Sequence, residues 1–129
     1  MSIQSKEVLD VSAKAENDLS TKQFYCVELS AADQVDVCDN AADTVLGILQ
    51  NEPKANEAAQ VRVLGISQGI TDGSGTAINI DDPLKTNGSG KLIKAVTNND
   101  KLVGRALGAS SADGTIIPVL LTPGAYLGA

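Results

Sequence analysis

No stretch of this chain carries an apolar repeat of helical period long enough to stand alone. Short runs rich in Val, Ile and Leu recur instead almost throughout. They are "FYCVELS" (24 to 30), "QVDVC" (34 to 38), "TVLGILQ" (44 to 50), "QVRVLGIS" (60 to 67), "TAINI" (76 to 80), "KLIKAVT" (91 to 97), "LVGRAL" (102 to 107) and "TIIPVLLT" (115 to 122). Between them lie turn formers: "TDGSG", "DDP", "TNGSG", "NND" and "ADG". Val35 and Val37 stand opposite Asp36, and Val61 and Val63 opposite Arg62, the period-two pattern of half-buried strands. "NGSG" and "DGSG" offer the positive-φ positions of tight hairpins. Only "SAADQ" and "PKANEAAQ" have room for a helical turn. The expectation is a mainly β, small single-domain barrel- or sandwich-like (tulip-like) fold of short strands and hairpins, with an extended N-terminal segment.

One stretch returns. "DTVLGILQNEPKANEAAQVRVL" (43 to 64) is echoed by "DKLVGRALGASSADGTIIPVLL" (100 to 121). A spacing of 57 residues places Asp43 on Asp100, Gly47 on Gly104, Val35 on Leu92 and Val27 on Leu84. With one residue taken from the loop, Val61, Val63 and Leu64 fall on Ile117, Val119 and Leu120. Either two hairpins of one β fold look alike, or the domain holds two related β units that bury one another's apolar faces. The organisation expected is an N-terminal arm or first strand over 1–20, a β domain over 21–122 with possible repeat units at 24–70 and 81–122, and an apolar tail over 123–129.

At 129 residues the chain has the size of one domain. Its three aromatic residues, Phe24, Tyr25 and Tyr126, leave the core to Val, Leu, Ile and Ala, so some apolar surface is expected to be completed against another subunit or a partner. A net charge of −6, with ten Lys and Arg scattered singly, argues against a nucleic-acid partner. No apolar run approaches the roughly 18 residues of a membrane span, and "MSIQSKEVLD" lacks the apolar core of a signal peptide. A soluble protein made in a cytoplasm, with no membrane partner, is expected.

Catalytic chemistry finds little to work with. The chain has no histidine, which removes the commonest general base, the usual triads and most transition-metal sites. Cys26 and Cys38 read as small buried hydrophobes. "GSGK" (88 to 91) lacks the rest of a phosphate loop and reads as a hairpin turn; Asp72, Asp81 and Asp82 lack the alternating spacing of a calcium loop and read as turn formers. "NGS" (87 to 89) matches a glycosylation acceptor, which matters only on secretion. The expectation is no catalytic residue, no cofactor and no metal. The isolated apolar residues of the termini, Ile3, Val8 and Leu9 at one end and Tyr126 and Leu127 at the other, are candidate contacts with another chain. The tail "TPGAYLGA" reads equally as a last strand closing the barrel. Pro118 cannot donate to a ladder, so its strand is expected at an edge or a bulge, a place for a partner to attach.

Four segments in order, "DLSTKQFYCVELSA" (18 to 31), "VLGILQNEPKANEAAQVRVLGIS" (45 to 67), "DDPLKTNGSGKLIKA" (81 to 95) and "VGRALGASSADGTIIPVLL" (103 to 121), resemble the capsid decoration, or cement, proteins of tailed bacteriophages. The specificity lies in the order of the segments, since each alone is an ordinary β pattern. The chain departs from the family at Asp81, where a Gly often precedes "DPL". The resemblance implies a structural virion protein on the outer surface of the head, often a homotrimer, that bridges copies of the major capsid protein. A dimer, a head-fibre, tail or baseplate attachment domain, and a small carbohydrate-binding module remain alternatives, the last disfavoured by the absence of Trp.

Overall fold

The computed structural model describes Ile3 and residues 7–128. Ten strands run in order: β1 (Leu9–Ala15), β2 (Cys26–Ala31), β3 (Gln34–Val37), β4 (Gly47–Leu49), β5 (Ala58–Leu64), β6 (Ile66–Asp72), β7 (Pro83–Thr86), β8 (Leu92–Lys94), β9 (Gly104–Ala106) and β10 (Asp113–Leu121). No helix occurs among the described residues. "SAADQ" turns the β2–β3 hairpin instead, with Ala31 opposite Gln34 and Asp33 at φ 57.

The strands close into two five-stranded barrels of one topology. The first runs β1-β3-β2-β4-β5, the second β10-β6-β8-β7-β9. In each, the first strand lies parallel to the third and antiparallel to the fifth, and the remaining pairs are antiparallel. Leu9 and Ile66, Cys26 and Pro83, and Gly47 and Gly104 open equivalent strands, each pair 57 residues apart. The barrels divide at Gly65, so β6 goes with the second barrel and β1 with the first, whereas a unit drawn at 24–70 would straddle both.

The spacing extends to the backbone. Phe24 at φ 71 and Asp81 at φ 80 are 57 residues apart, as are Asp33 at φ 57 and Gly90 at φ 79. The Phe24 amide donates to the Leu49 carbonyl and the Asp81 amide to the Ala106 carbonyl, again equivalent residues. The turn before "DPL" therefore keeps a left-handed residue even where this chain carries Asp, whose carboxylate pairs with Arg105 at 2.7 Å. Gly47 and Gly104 are required by close approach. A Cβ on Gly47 would stand 2.2 Å from the Arg62 carbonyl oxygen and 2.8 Å from Val61 Cγ1; on Gly104 it would stand 2.3 Å from the Leu120 oxygen and 2.8 Å from Val119 Cγ1.

Alternation sorts the core into two clusters. Ala15, Leu19, Val27, Val35, Leu49, Ala59 and Val61 fill the first barrel. Their neighbours Cys26, Cys38 and Ile48 join Leu84, Leu92, Val103, Ala106, Ile117, Val119 and others of the second barrel in one cluster that crosses the seam. β4 and the start of β2, Cys26 and Val27, are thus buried on both faces, which suits the short apolar run of β4. Backbone bonds stitch the seam as well: Cys26 N donates to Gly90 O at 2.8 Å, and Ile70 N to Phe24 O at 3.1 Å.

Three expectations change. "QVRVLGIS" is two strands, because Gly65 at φ 99 carries the chain from one barrel to the other. "TAINI" contributes only an isolated bridge between Ile78 and Ser110. Pro118 lies at no edge: β10 pairs with both β6 and β9, and its bulge falls between Asp113 and Thr115. Leu107 N donates to the Pro118 carbonyl at 2.9 Å, but proline has no N–H to return, and β9 ends at Ala106.

Candidate interaction surface

The apolar residues of the two termini fall in two places. Leu9 lies cross-strand from Leu64, and each is 51% exposed. Asp10 ties the same strand to Arg62 through a two-pronged pair at 2.9 and 3.2 Å, and Arg62 Nη1 reaches the Ile66 carbonyl at 3.0 Å. Beside this lies an open groove of about 380 Å³ lined by Ile3, Gln23, Phe24, Gln50, Arg62, Ile66, Ser67 and Gln68. Ile3 is 51% exposed there, and Val8 is also exposed. Pro118, half-buried, stands one strand away, opposite Gln68.

Tyr126 and Leu127 are elsewhere. The tail folds back on 99–102: Asn99 N donates to Leu127 O, Leu127 N to Asp100 O, and Leu102 N to Ala125 O, each at 2.9 Å. It closes no barrel. Tyr126 is 60% exposed beside Lys101, while Leu127 is half-buried. The structure thus joins Ile3 to the groove and Leu9 to Leu64, brings Tyr126 and Leu127 to a second locus, and does not unite the two. Sequence reasoning missed Leu29, Leu64, Ile80, Val96 and Ile116, all exposed. Strand alternation signals Leu29 and Ile116, but only the barrel interior decides which side of each strand is outward.

Between the barrels, equivalent segments face each other. Val45 and Leu46 of the first meet Leu102 and Val103 of the second, with Val63, Leu121 and Pro123, around a gap of only about 20 Å³. Lys101 Nζ crosses to the Ala42 carbonyl at 3.1 Å and Thr44 Oγ1 at 3.0 Å. The turns leading into the seam match. Asp43 Oδ2 accepts from the amides of Asp39 and Asn40, and Asp100 Oδ2 from that of Thr97. Their partners on the barrel wall differ: Lys85 meets Asp100 at 3.0 Å, but 57 residues earlier Glu28 stands beside Asp43.

Reactive atoms of Glu28, Asp43 and Cys38 lie within 4.8 Å of one another, the one such convergence of three among the described residues. Glu28 Oε2 is buried without a hydrogen-bond partner. The Glu28 carboxyl is pushed up to about 7, chiefly by hydrogen bonding to Asp43, then by burial and by the charges of Asp43, Asp39 and Asp36. The hydrogen bond from Glu28 holds Asp43 below its usual value. Burial pushes the Cys26 thiol up to about 12 and Cys38 upward too, so both are inert hydrophobes that contribute no charge. Burial also disfavours the Asp100 anion, yet the Lys85 hydrogen bond and the Thr97 amide hold its carboxyl below the usual range. Asp72 caps Ser74, Asp81 meets Arg105 and Asp82 meets Lys94, so these three serve turns and ion pairs.

Two barrels fused through an apolar seam, with apolar side chains left outward at both ends of the chain, define a small all-β scaffold suited to contact. Its lineage is a viral one: residues 3–121 match the family of phage cement proteins, and the chain belongs to that family. It is a structural component of the phage head. The fold is also that of the N base of the head fiber gp8.5 in bacteriophage phi29, with a TM-score of 0.62 and 15% identity over 90% of this chain and 95% of that one. No curated protein matches the sequence.

Proposed function

We propose that this chain is a cement subunit of the outer head surface that bridges neighbouring copies of the major capsid protein as a homotrimer, acting mechanically and without catalysis. The family match over residues 3–121 carries the reading. The apolar residues of the termini supply contact chemistry: exposed Ile3, Val8 and Leu9 with Leu64 at one locus, exposed Tyr126 with half-buried Leu127 at the other. Two separate loci suit a bridge, because one meets a sister subunit while the other meets the lattice. Three modest contacts engaged together on a preformed lattice gain through effective concentration. Pro118, half-buried opposite Gln68, stands beside the first locus and is the weaker member of this contact set.

A second reading has its own support. The head-fiber base shares the fold over nearly its whole length, so a base that anchors a fibre to the head is served by the same barrels. Co-sedimentation with expanded empty heads of the parent phage, with the free mass read by light scattering, separates the two. Saturable binding at a trimer mass supports cement; a stable oligomer that ignores heads moves the fibre base to first place. The pair Leu9→Ser and Tyr126→Ser should weaken head binding roughly tenfold or more while leaving the barrels folded.

A further inference from the structure

We infer that the Glu28–Asp43 carboxyl pair is a pH-sensitive latch that fixes the 39–46 segment of the first barrel against the second. Glu28 points from β2 at the turn that carries Asp43, and the two carboxyls lie within 4.8 Å beside the Cys38 thiol. The charged groups facing Glu28 are Asp43 and Asp39 from that turn and Asp36 from its cross-strand partner β3. β4, on the other side of β2, presents only Gly47, Ile48 and Leu49. From the second barrel comes Lys101, which is bonded to Ala42 O and Thr44 Oγ1, and among the described residues no ion pair reaches either carboxyl.

The second barrel shows what this position does with a cation. There Lys85 satisfies Asp100, and the turn is held without a shared proton. In the first barrel no cation stands there, Glu28 Oε2 is buried without a hydrogen-bond partner, and a proton held between the two carboxyls takes the cation's place. The segment that depends on it runs into the seam: Leu46 N donates to Val27 O at 2.8 Å, and Val45 and Leu46 meet Leu102 and Val103. Loss of the proton places two like charges together at the root of that segment and loosens it. The Glu28 carboxyl is raised from 4.5 to about 7, so the stabilisation is fully present below pH 4.5 and is lost as pH rises through about 7.

Thermal unfolding from pH 5 to 8.5 tests the latch with the intact chain, Glu28→Gln and Glu28→Lys. The native protein should lose roughly 5 °C more than Glu28→Gln across that range. Glu28→Lys, which rebuilds the Lys85–Asp100 arrangement, should be flat and should melt above the native protein at pH 8. Carboxyl NMR of the native protein should show Glu28 titrating near 7. The Leu46 amide, corrected for intrinsic exchange, should exchange about tenfold faster at pH 8 than at pH 6. Equal slopes for native and Glu28→Gln, a Glu28 titration at the ordinary value, or an unchanged Leu46 amide would each overturn the latch. Where Glu28→Gln fails to fold, the native titration and Glu28→Lys decide alone.

Discussion

The first and second barrels agree in backbone and disagree in charge. Strand order, the left-handed residues Phe24 and Asp81, and the close approaches at Gly47 and Gly104 recur at one spacing, yet Glu28 faces Asp43 where Lys85 faces Asp100. Features imposed by sterics leave little freedom, because a Cβ at Gly47 or Gly104 meets a carbonyl of the neighbouring strand. A half-buried polar position accepts any arrangement that compensates it, whether a cation or a shared proton. Equivalent sites in one fold can therefore respond oppositely to pH while the fold stays the same.

The sharpest way to break the equivalence is at the glycines. Gly47→Ala and Gly104→Ala should each cost about 3 kcal/mol in urea unfolding, because the new Cβ meets a carbonyl of the neighbouring strand that cannot yield alone. Costs that differ by more than about 1 kcal/mol would mean that the two close approaches are not the same constraint.

A smaller effect inverts the charge. In the native second barrel the lowered Asp100 carboxyl contributes stability above its usual 3.8 that is lost as pH falls through the lowered value. Lys85→Glu should reverse that sign, giving a site at its best in acid that loses roughly 2 kcal/mol by pH 8. Chemical unfolding at pH 5 and pH 8 reads the reversal; a parallel loss at both would show that Lys85 acts by packing alone.

The smallest effect lies at the left-handed pair. Asp81→Gly relieves a positive φ at an exposed side chain and should change stability by about +0.5 kcal/mol in the stabilising direction. Phe24→Gly relieves the same φ but removes a side chain packed on the seam cluster, so it should destabilise. A gain at both positions would place backbone strain above packing in this fold.

Much of this was legible in the residues. Val27 with Leu84 and Val35 with Leu92, matched by spacing alone, are all fully buried, and the turn clusters fall between strands or at their ends, Asp113 and Gly114 of "ADG" opening β10. β1 was obscure because its inward residues, Val11, Ala13 and Ala15, are small and its outward ones polar, so "LDVSAKA" resembles a solvated arm. The split at Gly65 was hidden inside a continuous apolar run, where one left-handed residue redirects the chain without changing its composition. Pro118 was read by a sound local rule, but the missing donor ends a neighbouring strand rather than marking an edge. Among contact residues, the isolated apolar side chains of the termini could be named, while Glu28 and Asp43 belong to no motif. The one signal for them was the repeat spacing, which sets Glu28 on Lys85.

Closure of both barrels has a consequence for life in a crowded host. An open sheet offers its unpaired rim to the next copy, and copies that add rim to rim grow into filaments without limit. In each barrel here the fifth strand returns to the first, so the described strands offer no rim to extend. A concentrated stock of free subunits then has no template for runaway fibre growth, and association is left to side-chain patches whose number per subunit is finite.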